Sequence, residues 1–405
     1  MKNNKAQNIF EYICIFLLLF LSSGFQLSVY SGVTRMIMYL IVVLIMIMSR
    51  LEIFKFYKFN KISFVAIFLL FFNVFVTFLV RDEGLEQIVI TSALYLVALM
   101  YVIYFDEDIF IKKFIQVMYF LCIMSLFLYF LMLLFPQITR HLPVVYNSKG
   151  VSAYSIFFST ISANNYLIRN QGIFWEPGAF QTYIDIAMIF NLFLFKKHRI
   201  RNLLVFSLTL FTTYSTAGYI VGSIIIMIFL LNLLKERGQK RSFVIALFFV
   251  MIIAILGIVT YSNLPKSARH QVFGKLESYQ KGGERSSTSV RFSSIMIPFK
   301  SFLDKPFFGN GVLGMERIAN SEGYNMNTAT VINWFSTFGI ITGMVIIVGL
   351  YRLCGTLKCS RFFRILLFGV FLLSLMSENY IRNPSILIFV FLGYKDLKNK
   401  VLQII

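Results

Sequence analysis

Arg169, Trp175, Glu176 and Pro177 stand together in a chain where only 14% of residues are charged. They belong to the stretch IRNQGIFWEPGAFQ, Ile168 to Gln181, at the start of a long apolar run. A guanidinium stays charged and can grip a phosphate with parallel N–H bonds. A carboxylate within reach can take a proton from a reacting hydroxyl. Pro177 suits the first turn of a helix, so Glu176 falls at a helix amino end, where the backbone dipole favours an anion. Glu176 therefore reads both as a helix cap and as a candidate base. Gly172 allows a tight turn or a close backbone approach. Trp175 suits a membrane interface, and its ring face also suits a sugar.

Further candidates lie elsewhere in the chain. Arg291 and Lys300 stand in VRFSSIMIPFKSFLDKPFFG, which places Phe292, Ile295, Phe299, Phe302 and Leu303 on one stripe. That pattern predicts an amphipathic helix on a membrane surface, with Arg291 at the depth of lipid phosphates. Asp185, about two turns into the run after Pro177, is a carboxylate inside an apolar segment; it reads as a functional group or as a buried partner of a neighbouring polar side chain. Glu378 and Arg382 in SENYIRNP are spaced for an i,i+4 pair, and Arg382 is also a candidate phosphate ligand. Tyr146, Tyr154, Tyr166, Tyr324 and Trp334 join Trp175 as aromatics for stacking on sugars or for a membrane belt. His141 and His270 read as surface residues. No metal-ligand constellation and no cofactor motif stands out, and Cys14, Cys122, Cys354 and Cys359 have neither zinc spacing nor an evident disulfide partner.

The elements that must position these groups are apolar helices. The composition is 58% hydrophobic, with 47 Phe among 405 residues. Apolar runs of about 20 residues match a hydrocarbon core about 30 Å thick. They are continuous rather than alternating, which argues against strands. Twelve runs fall near 9–27, 32–49, 62–80, 88–105, 114–135, 178–195, 203–216, 219–234, 243–261, 329–350, 365–379 and 384–394, the last being short. The first lacks a cleavage site and reads as a retained span. The fold expected is all-α: a single polytopic membrane domain over 1–405, with a large helical loop at 262–328 inserted between spans 9 and 10.

The net charge of +20 would suggest nucleic acid in a soluble protein; here the basic residues sort by membrane side instead. RLEIFKFYKFNK, KKHRIRN, KERGQKR and YRLCGTLKCSRFFR each follow an even-numbered span, which puts them and both termini in the cytoplasm. All seven prolines then map to the outer end. So do the two long connections, 136–177 and 262–328, and loops of that length usually carry function. Their net basic character suits an anionic substrate.

The pattern Arg169-x-x-Gly172-x-Phe174-x-Glu176-Pro177-x-x-Phe180 resembles a segment of the Wzy family of O-antigen and capsule repeat-unit polymerases, which are similar to the O-antigen ligases. LTTYSTAGYI stands where that superfamily tends to have T-x-S-R-x-G, and Arg291 to Gly311 resembles its R…P-x-x-G-x-G block. Asn327–Gly343 resembles the block that opens the span after the long loop. The resemblance covers about 169–343. Two departures matter: Ser215-Thr216 replaces Ser-Arg, and Asn327-Thr328 replaces the His-Asn common among ligases.

The resemblance implies a metal-independent membrane glycosyltransferase on the outer face of a bacterial cell membrane. Its donor and acceptor would be undecaprenyl-diphosphate-linked oligosaccharides, and a polysaccharide chain-length regulator is an implied partner. Arg169, Arg291 and Glu176 are the expected catalytic groups. Arg382, Trp175, Asp185 and Tyr324 are expected to bind substrate. A ligase acting on a lipid A core and a lipid-linked oligosaccharide flippase are the alternatives. A flippase would more often show two related halves and charges at mid-membrane.

Overall fold

Each described apolar run folds as a helix, because an amide in hydrocarbon must find its partner within its own segment. The structure is a computed structural model that describes residues 5–23, 32–49, 59–146, 152–156, 158–162, 168–236, 287–322 and 328–395. Before the long polar connection come α1 (Lys5–Ser22), α2 (Gly32–Ser49), α3 (Lys61–Val80), α4 (Leu85–Tyr104) and α5 (Glu107–Leu134). After it come α6 (Pro177–Phe193), α7 (Arg199–Thr212) and α8 (Thr216–Glu236). Then follow α9 (Ser287–Asp304), α10 (Val312–Glu322), α11 (Thr330–Cys354), α12 (Arg361–Leu375) and α13 (Pro384–Leu392). The ninth run, 243–261, lies outside the described residues, as do His270 and much of the second long loop.

The chain is an all-α polytopic membrane protein. Six described helices are long and apolar enough to cross a bilayer: α1, α3, α4, α5, α8 and α11. Their outward faces carry large apolar side chains, such as Phe64, Phe68, Phe72 and Phe75 on α3, the pattern of a surface wetted by lipid. α6 and α13 are different. Every residue of α6 from Ala179 to Phe193 is buried, and so is every residue of α13. α6 packs among α5, α7, α8 and α12, and α13 among α1, α4 and α11. α13, nine residues long, rises only about 14 Å. It is a short helix wholly enclosed by its neighbours.

α11 is interrupted. Gly339 has φ 80° and ψ −177°, a conformation that side chains disfavour. The segment KPFFGNG, 305–311, lies against the break. Ile340 N donates to Pro306 O at 2.8 Å, Asn310 N to Ser336 O at 2.8 Å, and Gly311 N to Thr337 O at 2.9 Å. Asn73 on α3 completes the repair, donating to Phe338 O at 2.6 Å and to Thr342 Oγ1 at 2.9 Å. The glycine-rich end of the second loop thus replaces the helical bonds that α11 forgoes. The loop is held from outside as well. Arg81 Nε donates to Gly309 O at 2.6 Å, and the Glu83 carboxylate accepts the Leu313 and Gly314 amides at the start of α10. Burial nonetheless leaves the Glu83 carboxyl above its usual range.

The amphipathic helix expected around Arg291 is α9. Phe292, Ile295, Phe299 and Leu303 are exposed, whereas Ser294, Pro298 and Ser301 on the opposite side are buried. Its apolar stripe therefore faces away from the protein and its small polar residues face inward, packed along α11. This orientation suits lipid on the outer side of α9.

The first long connection contains structure that helical patterning does not predict. β1 (Val144–Tyr146), β2 (Ser152–Ile156) and β3 (Ser159–Ser162) form an antiparallel sheet in the order β1-β2-β3. An isolated bridge from Ile161 to Asn170 extends it toward the RNQG segment.

Candidate active site

The residues of RNQG are tied to α5, α6, α7 and β3. Asn170, fully buried, donates to Ser125 Oγ on α5 at 3.1 Å and to Thr212 Oγ1 on α7 at 3.0 Å. Gln171 donates to Thr160 Oγ1 on β3 at 3.0 Å. Gly172 turns the chain with φ 55°, and Phe180 packs where its side chain would be. Arg169 reaches across to the end of α7, donating from Nε to Thr213 O and from Nη2 to Tyr214 O, both at 3.0 Å. The small sheet is therefore a brace. It fixes the approach of the chain to α6 and aims Arg169 at the α7–α8 turn.

A small polar cleft lies at that turn. Arg169, Glu176 and Glu378 bring charge to it; Pro177 and Gly178 supply the first turn of α6, and Ser215, Thr216 and Ala217 that of α8. Two helix amino ends thus converge beside a guanidinium, an arrangement that favours negative charge. Ser215 stands as the cap of α8, its Oγ accepting from Gly218 N at 3.4 Å and donating to Gln181 Oε1 at 2.9 Å. Thr216 occupies the place of the arginine common in the superfamily pattern, and Arg169 covers the same turn.

Glu176 occupies the cap position of α6 in extended conformation, with its carbonyl accepting from Ala179 N and Phe180 N. Its carboxylate makes no capping bond; it is half-buried at the cleft. Trp175 turns inward. Its indole packs on Tyr380 with ring centroids 5.7 Å apart, and Nε1 donates to Glu378 Oε2 at 3.1 Å.

Glu378 does not pair with Arg382. Their segment is a turn between α12 and α13, so i,i+4 spacing does not bring the side chains together. Glu378 faces α6, and Arg382 donates to Gln87 Oε1 on α4 at 2.6 Å. Burial draws the Arg382 guanidinium below its usual range, while Glu316 and Glu83 nearby hold it up. Arg382 and the Arg169 cleft thus lie on different sides of one turn.

Asp185 is fully buried one turn below Gln181. Its Oδ2 accepts from Gln181 Nε2 at 2.7 Å and from Ser374 Oγ at 3.4 Å. Gln181 in turn meets Ser215, so Asp185 is joined to the cleft through one intervening amide. Arg291 lies in α9, and its side chain is outside the described residues, as is all of Tyr324. Tyr166 and Thr328's neighbour Asn327 are outside them too. Trp334 is completely buried and donates to Ile381 O at 3.4 Å; it is part of the core, away from any interface. His141 is exposed.

The residue that patterning undervalued is Glu378. The available signal was a carboxylate beside an outer turn in a chain with few acids. What hid its place beside the cleft is that its hydrogen-bond partner, Trp175, is 203 positions away.

Residues 202–347, from α7 to α11, match a family model described as O-antigen ligase. The match is a similarity to that superfamily and does not separate polymerases from ligases. No curated protein and no solved structure matches the chain.

Proposed function

We propose that this protein is a glycosyltransferase that polymerises undecaprenyl-diphosphate-linked oligosaccharide repeat units at the outer face of the cytoplasmic membrane, with both termini in the cytoplasm. The observation that carries this reading is the cleft at which Arg169 meets the amino ends of α6 and α8 beside two carboxylates. The O-antigen ligase-like region from 202 to 347 contributes α8 and the block that closes on α11.

The chemistry follows from the leaving group. A diphosphate is a weak base, so the departing oxygen needs no acid; it needs positive potential against the charge that develops as the C1–O bond breaks. Arg169 and the two helix starts supply it. Arg291 is the proposed second guanidinium, brought by α9 at the depth of the headgroups. The acceptor hydroxyl loses its proton to a carboxylate of the cleft. Arg382, Tyr324 and Asp185 are proposed substrate-side residues, Asp185 acting through Gln181 on the turn that carries Ser215.

Asn327-Thr328 in place of the ligase-type His-Asn pair favours polymerase over ligase. Purified protein supplied with lipid-linked repeat units in detergent should produce a ladder of longer chains. Transfer to lipid A core alone identifies a ligase, and transbilayer movement without a new glycosidic bond identifies a flippase. Arg169→Ala and Arg291→Ala should each lower ladder formation by at least about 10²-fold while the protein still inserts. Full activity in either variant removes that residue from the site.

A further inference from the structure

We infer that Glu378, rather than Glu176, accepts the proton from the acceptor hydroxyl, and that Trp175 is the residue that positions it. This assignment rests on the polymerase reading of the cleft.

Both carboxylates line the cleft with Arg169, but they are held very differently. Glu176 is half-buried at the mouth and its carboxylate makes no bond to the helix it caps. Glu378 is only 4% exposed. Its backbone is fixed: Thr330 donates to Glu378 O from its backbone amide at 3.2 Å and from its hydroxyl. Tyr380 N donates to the same Thr330 oxygen at 2.8 Å. Oε2 receives the Trp175 indole at 3.1 Å. Oε1 lies over Gly178, 2.6 Å from where a β-carbon would stand, so only glycine leaves room for it. The Glu378 carboxylate also helps to push the Tyr380 phenol well above its usual range, after burial itself.

A general base must be held within hydrogen-bond reach of the proton it removes, and looseness of about 1 Å is costly. Of the two acids, Glu378 meets that requirement. It sits at the start of α6, opposite the start of α8, so a diphosphate held by Arg169 and the helix ends would leave its sugar carbon between cation and base. In the reaction the acceptor O–H gives its proton to Glu378, the acceptor oxygen bonds to C1, and the C1–O bond breaks with its electron pair passing to the lipid diphosphate. Glu378 then returns the proton to water. Trp175, whose N–H is already engaged by this carboxylate, sets its rotamer and does not serve as a membrane anchor. Glu176 remains at the mouth, where it can meet acceptor hydroxyls.

The test compares wild type with Glu378→Gln, Glu378→Asp, Glu176→Gln and Trp175→Phe, using lipid-linked repeat units for turnover and undecaprenyl diphosphate for binding. Glu378→Gln keeps an acceptor for Trp175 and should lose about 10²–10⁴-fold in ladder rate, with undecaprenyl diphosphate binding within about threefold of wild type. Glu378→Asp should recover part of the rate and retain an acidic limb in its pH profile. Glu176→Gln should cost less than Glu378→Gln, and Trp175→Phe should lower turnover more than binding. Wild-type rate in Glu378→Gln, or a larger loss in Glu176→Gln, overturns the assignment while leaving the polymerase reading intact. If Glu378→Gln fails to insert, a Trp175→Phe variant that inserts and forms the ladder at the wild-type rate overturns it instead. Absence of any ladder from the wild-type protein removes both.

Discussion

Glycine at 178 separates stability from geometry at the site. An alanine there would place its β-carbon 2.6 Å from Glu378 Oε1, with the next contact, to the same carboxyl carbon, at 3.7 Å. The obstructing atom is the end of a side chain, so the fold can yield by moving the carboxylate. Ala also has the better helix propensity. Gly178→Ala should therefore leave the thermal midpoint near that of wild type and lower the ladder rate by about ten- to a hundredfold. An unchanged rate in a well-folded variant means that the carboxylate position does not matter to turnover. At this scale the sequence was informative about residue type and poor about partnership. Arg169 and Glu176 stood out because cations and acids are scarce beside apolar runs, and Pro177 marked the helix start. Trp175 and Glu378 could not be joined by inspection, because local spacing suggested Arg382 as the partner and the turn around 378–383 is not helical. Arg382 was legible as a candidate phosphate ligand at the outer turn, but its engagement by Gln87 depends on how α4 meets that turn.

Helices were legible wherever lipid imposes its demand for internal hydrogen bonds, which is why apolar runs and described helices coincide along the chain. Interruptions were not. Residues 329–350 read as one unbroken span, since Gly339 is only one more small residue in an apolar string. The break exists because the backbone of 305–311 approaches it. A β-carbon on Gly339 would lie 2.0 Å from Phe307 O and 2.4 Å from its carbonyl carbon, and φ is 80°. Here the obstruction is main chain and cannot swing aside. Gly339→Ala should destabilise the folded protein by about 3 kcal/mol or more, seen as a lower thermal midpoint in detergent and as faster amide exchange at Ile340 and Gly311. Wild-type stability in that variant means that the 305–311 backbone does not occupy the break. The brace of β1–β3 was hidden for a related reason: its strands are short, lie in a polar connection, and are tied by bonds of Thr160 with Gln171 and Gly172 rather than by an apolar alternation.

For the molecule as a whole, the side of the membrane is an electrostatic question, whereas the grouping of loops is a packing one, and the two can be compared. The connections that the basic-residue bias leaves outside include, among the described residues, 81–84, 213–215, 376–383 and parts of 136–177 and 262–328. In the fold these meet one another: Arg81 bonds Gly309, Glu83 the start of α10, Arg169 the α7–α8 turn, Trp175 the Glu378 turn, and Arg382 the start of α4. At the other end, Lys113 pairs with Glu11 at 3.2 Å, Lys358 N donates to Phe193 O at 3.0 Å, and Lys395 caps the end of α4 through Val102 O at 2.8 Å. A single end therefore holds the cleft, the α11 break and the loop that fills it, and the charge rule assigns that end to the exterior. Single cysteines test the assignment. Gly84 has open space around its α-carbon and Lys197 is exposed at the opposite end. In a Cys359→Ser background, a membrane-impermeant thiol reagent applied to intact cells should label Gly84→Cys and spare Lys197→Cys until the membrane is opened. Cys14, Cys122 and Cys354 are buried and should stay silent. The reverse labelling order would put the cleft in the cytoplasm, where a lipid-linked chain delivered to the outer leaflet cannot reach Arg169.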